Sequence, residues 1–183
     1  APGVPAGQGI VEGGTLPYLP SALARRRQNY DNRATADPET KCYLPGVPRV
    51  TYAGFPFQII QTPAQVTVLY EFAHATRFIR TNGTPHPPGH IDWWLGDSRG
   101  RWDGDTLVVD VIHFGEETWL DRAGNFHSDA LHVVEREFFR RGVAAKIGRP
   151  ALDWAVVRHG IRPFVRFVGV RGEFHGHALL IRR

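Results

Sequence analysis

The segment NFHSDALHVVER, residues 125–136, concentrates side chains that could bind a metal ion or move a proton. His127 and His132 lie five residues apart, so they face opposite sides of any regular strand. His127 lies close after a Gly-Asn turn, however, and a histidine at a loop end can converge with one inside a strand. Zinc needs three or four N, O or S ligands, and we expect His74 to supply a third. The alternative is that His127 caps a turn and His132 hydrogen-bonds in the core.

Two acidic residues are candidates for the general base that would activate a metal-bound water. Asp110 lies within the apolar run LVVDVIHF, where a carboxylate is costly unless it is paired or exposed. Glu135 alternates with Arg136, so one of the two must point toward the interior. A catalytic set of Asp110, Glu135 and His127 follows from these positions. The alternative for Glu135 is an internal Arg–carboxylate pair that orders the fold.

A second group of residues could bind the ligand or substrate. Tryptophans at a cavity wall suit an apolar or sugar-like molecule, and charged strand residues could face the same cavity. His86 lies in TPHPPGH, where the prolines exclude a helix and regular strand pairing, so this loop either covers a site or is simply solvated. The predicted ligand-binding residues are Trp102, Trp119, Glu71, Arg77 and His86.

Short β-rich runs separated by turns must position these residues. In SRGRWDGDTLVVDVIHF (98–114), Asp103-Gly104 is a strong hairpin signal between two strands. The segment 118–139 repeats this pattern, with a turn at 123–125. The run AQVTVLYEFAHATRFIRTNG (64–83) reads as one strand that carries His74 on the same face as its valines. Regular strands with tight turns predict an antiparallel barrel or a sandwich.

The remaining chain divides into an arm, a core and a tail within one domain of 183 residues. Residues 1–35 form a Gly- and Pro-rich arm with one short helix, for which Ser21 is the expected N-cap. Residues 36–137 form the β core. The tail, 138–183, is basic and atypical, with two acidic residues (Asp153 and Glu173) against ten Lys and Arg residues.

Composition and missing motifs exclude several classes of protein. The single cysteine, Cys42, cannot form an internal disulfide. No apolar run approaches the roughly 20 residues of a membrane helix, so we expect no membrane insertion. The sequence contains no GxSxG, P-loop, GxGxxG or CxxC motif. The net charge of +4 favours anionic partners slightly, but the basic residues are not interleaved with aromatic ones, so nucleic acid is not an expected partner.

Three strings resemble a family of exported bacterial proteins that are mostly labelled uncharacterised: GRWDGDTLVVDV (100–111), TWLDRAGNFHSDALHVVER (118–136) and DPETKCYLPGVPRV (37–50). The resemblance covers about residues 8–136, and the basic tail departs from it. It implies a lipocalin-like barrel and a periplasmic or extracellular location. The start APGVPAGQG, without methionine, is typical of a chain after signal-peptide removal and equally of a trimmed one.

The sequence therefore predicts a mainly β protein, an antiparallel lipocalin-like barrel with an N-terminal arm and one short helix. The favoured function is an exported metal-dependent hydrolase or lyase for a small molecule, with zinc as the expected metal on His127, His132 and His74. One alternative is a lipocalin-like binding protein without catalysis. Another is a self-assembling structural protein, because open strand edges can pair with a second copy and give a homo-oligomer.

Overall fold

The computed structural model describes residues 16, 18–53, 55–104, 106–138, 155–157 and 165–167, and these residues are mainly β. Six strands in chain order form the body of one mixed sheet, and two three-residue strands pair with its outer strands. The order across the sheet is β7-β1-β2-β3-β4-β5-β6-β8. The strands are β1 (Phe57–Gln61), β2 (Gln65–Tyr70), β3 (Thr76–Arg80), β4 (Asp97–Asp103), β5 (Thr106–Ile112), β6 (Val133–Phe138), β7 (Ala155–Val157) and β8 (Val165–Phe167).

The predicted antiparallel, lipocalin-like barrel is wrong. Strands β3 and β4 pair in parallel, whereas the other neighbours are antiparallel, and the outermost described strands, β7 and β8, do not pair to close the sheet. A parallel pair needs a long return connection, which residues 81–96 provide. The prolines of this connection cannot donate to a strand ladder, so the chain leaves the sheet there instead of turning back as a hairpin.

Two α-helices precede the sheet, where one short helix was predicted. Helix α1 (Pro20–Asp31) begins with a proline in its first turn and has Leu19, not Ser21, as its N-cap residue. Helix α2 (Arg33–Ala36) follows after a break at Asn32. Neither is long and apolar enough to cross a membrane, and no other described helix is either. The predicted arm before residue 16 and most of the basic tail lie outside the described residues.

The predicted strand 64–83 is interrupted. Between β2 and β3 the chain forms a short 3₁₀ turn, Phe72–His74, in which Ala73 and His74 have φ values of 56° and 49°. Left-handed backbone of this kind ends the two-residue alternation of a strand. His74 therefore lies in an exposed turn and does not share a strand face with the valines of β2.

The β4–β5 hairpin is confirmed, with Gly104 at a φ of 59° between two fully paired strands. Along β5 the side chains of Leu107, Val109 and Val111 are completely buried in the main core. Asp110 alternates with them and lies on the other face of the sheet. We call that second face the polar face, because it carries Asp97 and Arg99 of β4, Asp110 of β5 and Arg136 of β6.

Candidate functional site

Four side chains on the polar face form one continuous hydrogen-bonded network. His86 bridges two carboxylates, with Nδ1 at 2.6 Å from Asp97 Oδ2 and Nε2 at 3.0 Å from Asp110 Oδ2. The other oxygen of Asp110, Oδ1, accepts a hydrogen bond from His132 Nε2. The order Asp97–His86–Asp110–His132 thus alternates carboxylate and imidazole. Such a chain can hold and relay protons.

The strand register explains why these residues meet. Asp110 pairs with Val134 of β6, and His132 lies two residues before Val134, on the same side of the chain. Asp97 starts β4, whose Arg99 lies opposite Asp110 in the register. The side chains of Asp110 and His132 are 43% and 28% exposed, so a solute can reach this end of the network.

His86 comes from the connection 81–96, which additional polar contacts hold against the sheet. Arg99 donates through Nη1 to Thr84 Oγ1 at 2.6 Å. The same guanidinium donates to both oxygens of Asp97, at 2.6 Å and 3.0 Å. His113, directly after β5, donates from Nε2 to the carbonyl of Pro87 at 3.1 Å. These contacts hold the His86 ring in position over the polar face.

The electrostatics keep both carboxylates ionised. The hydrogen bond from His132 lowers the pKa of Asp110, burial opposes this, and the bond from His86 lowers the pKa further. Burial raises the pKa of Asp97, but hydrogen bonds from Arg99 and His86 outweigh it, and the net pKa is lowered. A lowered carboxyl pKa contributes stability above the usual pKa of about 3.9, and this contribution is lost as the pH falls through the lowered value.

Ionised carboxylates also determine where the protons sit on the two rings. A carboxylate can only accept hydrogen bonds, so Nε2 of His132 must carry the proton that it donates to Asp110. His86 faces a carboxylate at each nitrogen, and only the imidazolium form donates from both. An imidazole oriented by a carboxylate is the usual arrangement of a general acid–base pair.

The predicted metal ligands are not brought together. His127 is 4% exposed and both of its ring nitrogens have partners, Thr118 Oγ1 at 2.8 Å and the Ser128 carbonyl at 2.9 Å. His74 lies in the turn between β2 and β3, and His132 belongs to the network on the polar face. His127 in this arrangement is a hydrogen-bonded core histidine, packed edge-on against Phe114.

Replacing His127 with alanine is therefore expected to reduce stability, by about 1–3 kcal/mol, because the buried Thr118 hydroxyl loses its partner. The free energy of unfolding in urea measures this effect. The ring signals of His132 and His86 in nitrogen-15 NMR spectra should stay unchanged. A variant that keeps its stability but loses bound zinc would show instead that His127 is a metal ligand.

Glu135 and Arg77 lie on the core face and do not reach the network. The Arg77 guanidinium forms an ion pair with Glu135 and donates from Nε to Ser98 Oγ at 3.0 Å. The two charged side chains are only 1% and 0% exposed. This is the internal Arg–carboxylate pair considered as the alternative for Glu135, and the catalytic role of Glu135 stays a prediction.

The other predicted ligand-binding residues are dispersed. Trp119 is 7% exposed and packs with Ala22 and Phe126 in a small second core. Trp102 is 41% exposed near the end of β4, close to the hairpin turn. Glu71 is exposed in the turn after β2. Of the predicted ligand-binding residues, only His86 joins Asp110 and His132.

Asp97 and Arg99 are the site residues that the sequence analysis missed. A signal for them existed, because the Asp103-Gly104 turn fixes the register of the hairpin. Counting back from this turn places Arg99 opposite Asp110 and Asp97 opposite Ile112, on the same face. Hairpin register could therefore have added both residues to the candidate list.

Among the described residues, no three or more His, Cys, Asp or Glu side chains are grouped so that they could hold a metal ion. The zinc prediction therefore stays a prediction. Comparison with known proteins finds no match to any family model, to any curated protein or to any solved structure.

Proposed function

We propose that this protein is a hydrolase or lyase that acts on a small molecule by general acid–base catalysis at the Asp110–His132 pair. One observation carries the proposal: the two oxygens of one partly exposed carboxylate each accept a hydrogen bond from a different imidazole. The buried carboxylate of Glu135, by contrast, forms an ion pair with one buried cation, Arg77. Asp110 instead joins two imidazole rings, which can both take up and release protons.

In a hydrolytic reaction, His132 would take a proton from an attacking water molecule. The resulting hydroxide would add to the electrophilic carbon or phosphorus atom, and the leaving group would take the proton back from His132. Asp110 would hold the His132 ring in place and stabilise its imidazolium form. His86 would limit the negative charge on Asp110, and Asp97 and Arg99 would keep His86 in position.

The same residue types could also serve a metal, as the sequence analysis expected. Imidazole nitrogens and carboxylate oxygens are ordinary zinc ligands. In this structure, however, the Nε2 atoms of His86 and His132 both donate toward Asp110, and a metal would have to replace those two hydrogen bonds. The arrangement as it stands supports proton transfer more directly than metal-assisted hydrolysis.

Turnover of a panel of chromogenic esters, lactones and phosphodiesters tests the proposal, first in the wild type and then in His132→Gln. We expect the substitution to lower kcat by about 10²- to 10⁴-fold, the usual contribution of a general acid–base group. His90→Gln is the matched control, because His90 is 72% exposed and is not part of the network. Its Nε2 atom has only long contacts, 3.5 Å to Asp129 and 3.7 Å to Asp92.

The assays are run with a chelator and with added zinc, and the metal content of the purified protein is measured. Chelator-resistant turnover that is lost in His132→Gln supports the proposal. Turnover that needs zinc would assign the same residues to a metal instead. Equal turnover in His132→Gln and His90→Gln would contradict the proposed role of the Asp110–His132 pair.

A further inference from the structure

The segment GTPHPPG, residues 83–89, has the composition of a stiff flap between two hinges. Gly83 and Gly89 end it, with φ values of 76° and 94°, in a region that only glycine adopts readily. A β-carbon at either position would meet nothing within 4 Å, so neither glycine is required for close packing. Three prolines between them restrict the rest of the segment.

Polar contacts rather than apolar burial hold this flap against the sheet. Residues 82–85 and 88–90 are exposed, and only the two residues between them, His86 and Pro87, are partly buried. The flap is attached through His86, through the Thr84 hydroxyl and through the Pro87 carbonyl. Segments with few apolar contacts are those that open at low free energy.

We propose that residues 83–89 are a lid, hinged at Gly83 and Gly89, whose closure places protonated His86 between Asp97 and Asp110. The inference deepens the proposed function, on which it rests, by naming the regulation of that site. The closed lid adds the His86 ring to Asp110, and the open lid leaves Asp110 with His132 alone. His86 is thus a positioning residue, because it acts on the reacting groups through Asp110.

The charges around His86 give the lid a pH dependence of defined sign. Ionised carboxylates accept from both ring nitrogens, so a neutral ring loses one of the two hydrogen bonds. Closure is therefore favoured while the two carboxylates are ionised and the ring is protonated. The lid opens when rising pH removes a proton from the ring. The groups that face His86 from the packed elements are Asp97, Asp110 and His113. Arg99 binds both oxygens of Asp97, including the one that His86 contacts, and His132 binds the other oxygen of Asp110.

Hydrogen–deuterium exchange of a peptide covering residues 82–92, corrected for intrinsic exchange rates, tests the lid without a substrate. In the wild type we expect slower corrected exchange at about pH 5 than at about pH 8, because the imidazole ring is more often protonated at the lower pH. Gly83→Ala and Gly89→Ala should each raise exchange about 5- to 30-fold at the lower pH, because alanine is strained at a positive φ. His86→Gln should abolish the pH dependence.

Gly104→Ala is the matched control, because Gly104 also has a positive φ and open space around its β-carbon, but lies in the β4–β5 turn. It should leave exchange in residues 82–92 at the wild-type rate. Corrected exchange that does not depend on pH, or equal exchange in all three glycine variants, would overturn the lid. If the proposed function itself is wrong, turnover in His132→Gln will be unchanged, whatever the exchange experiment shows. The failure of the lid and the failure of the proposed function are therefore distinguishable.

Discussion

Asp110→Asn should lower kcat by about 10⁴-fold while the protein remains folded, an effect of the size known for carboxylates that orient a catalytic histidine. The amide is nearly isosteric with the carboxylate, but its NH₂ group can only donate. It therefore removes an acceptor from either His86 or His132 and no longer stabilises an imidazolium at His132. Turnover of the substrate found in the screen measures the effect, and circular dichroism confirms that the variant is folded.

Asp103→Asn provides the control on the same sheet. Asp103 ends β4, is 54% exposed and pairs with Arg136 at 2.8 Å, so it has the same charge and lies in the same sheet as Asp110 but outside the network. Its kcat should stay near the wild-type value. If Asp110→Asn keeps at least a tenth of wild-type turnover, Asp110 does not orient a catalytic imidazole.

Glu135→Ala should destabilise the protein by about 3–5 kcal/mol, the usual effect of removing one partner of a buried ion pair. The substitution leaves the Arg77 guanidinium charged at 1% exposure, where water cannot replace the lost carboxylate. Such a loss is a large fraction of the 5–15 kcal/mol that typically stabilises a domain, so the urea concentration at half-unfolding should fall clearly. Urea denaturation followed by tryptophan fluorescence gives the free energy of unfolding.

Arg136→Ala is the neighbouring control, because the Arg136 side chain points to the opposite face and its pair with Asp103 is partly exposed. We expect a change of about 1 kcal/mol or less. A Glu135→Ala variant as stable as Arg136→Ala would show that the Arg77–Glu135 pair does not stabilise the core. Glu135→Gln keeps the shape of the side chain and one acceptor oxygen. Its free energy of unfolding should therefore lie between those of Glu135→Ala and Arg136→Ala.

Local sequence signals located the parts of the site that depend on one hairpin. The Asp103-Gly104 turn defined β4 and β5, and strict alternation separated Asp110 from the buried Leu107, Val109 and Val111. From the sequence alone, either Glu135 or Arg136 could face the interior, and alternation could not decide between them. The choice depends on Arg77, 58 residues away in the chain, which supplies the buried cation.

Long-range pairing explains what the sequence could not show. The barrel was expected because local turn signals suggest antiparallel neighbours, and nothing local reveals that β4 pairs in parallel with β3. That pairing sends residues 81–96 back along the sheet and brings His86 over Asp110. The left-handed turn at Ala73 and His74 likewise removed His74 from a strand face, and no glycine marks that turn in the sequence.

The central claim is that two carboxylates set the proton positions on His86 and His132. Nitrogen-15 NMR of the histidine rings tests it most directly. The spectra are recorded at about pH 5.5, between the usual carboxyl and imidazole pKa values. Long-range couplings identify which ring nitrogens carry protons. The structure predicts a proton on Nε2 of His132 and on both nitrogens of His86, and a changed His132 signal in Asp110→Asn. A wild-type His132 that lacks a proton on Nε2, or that does not respond to Asp110→Asn, would contradict the account.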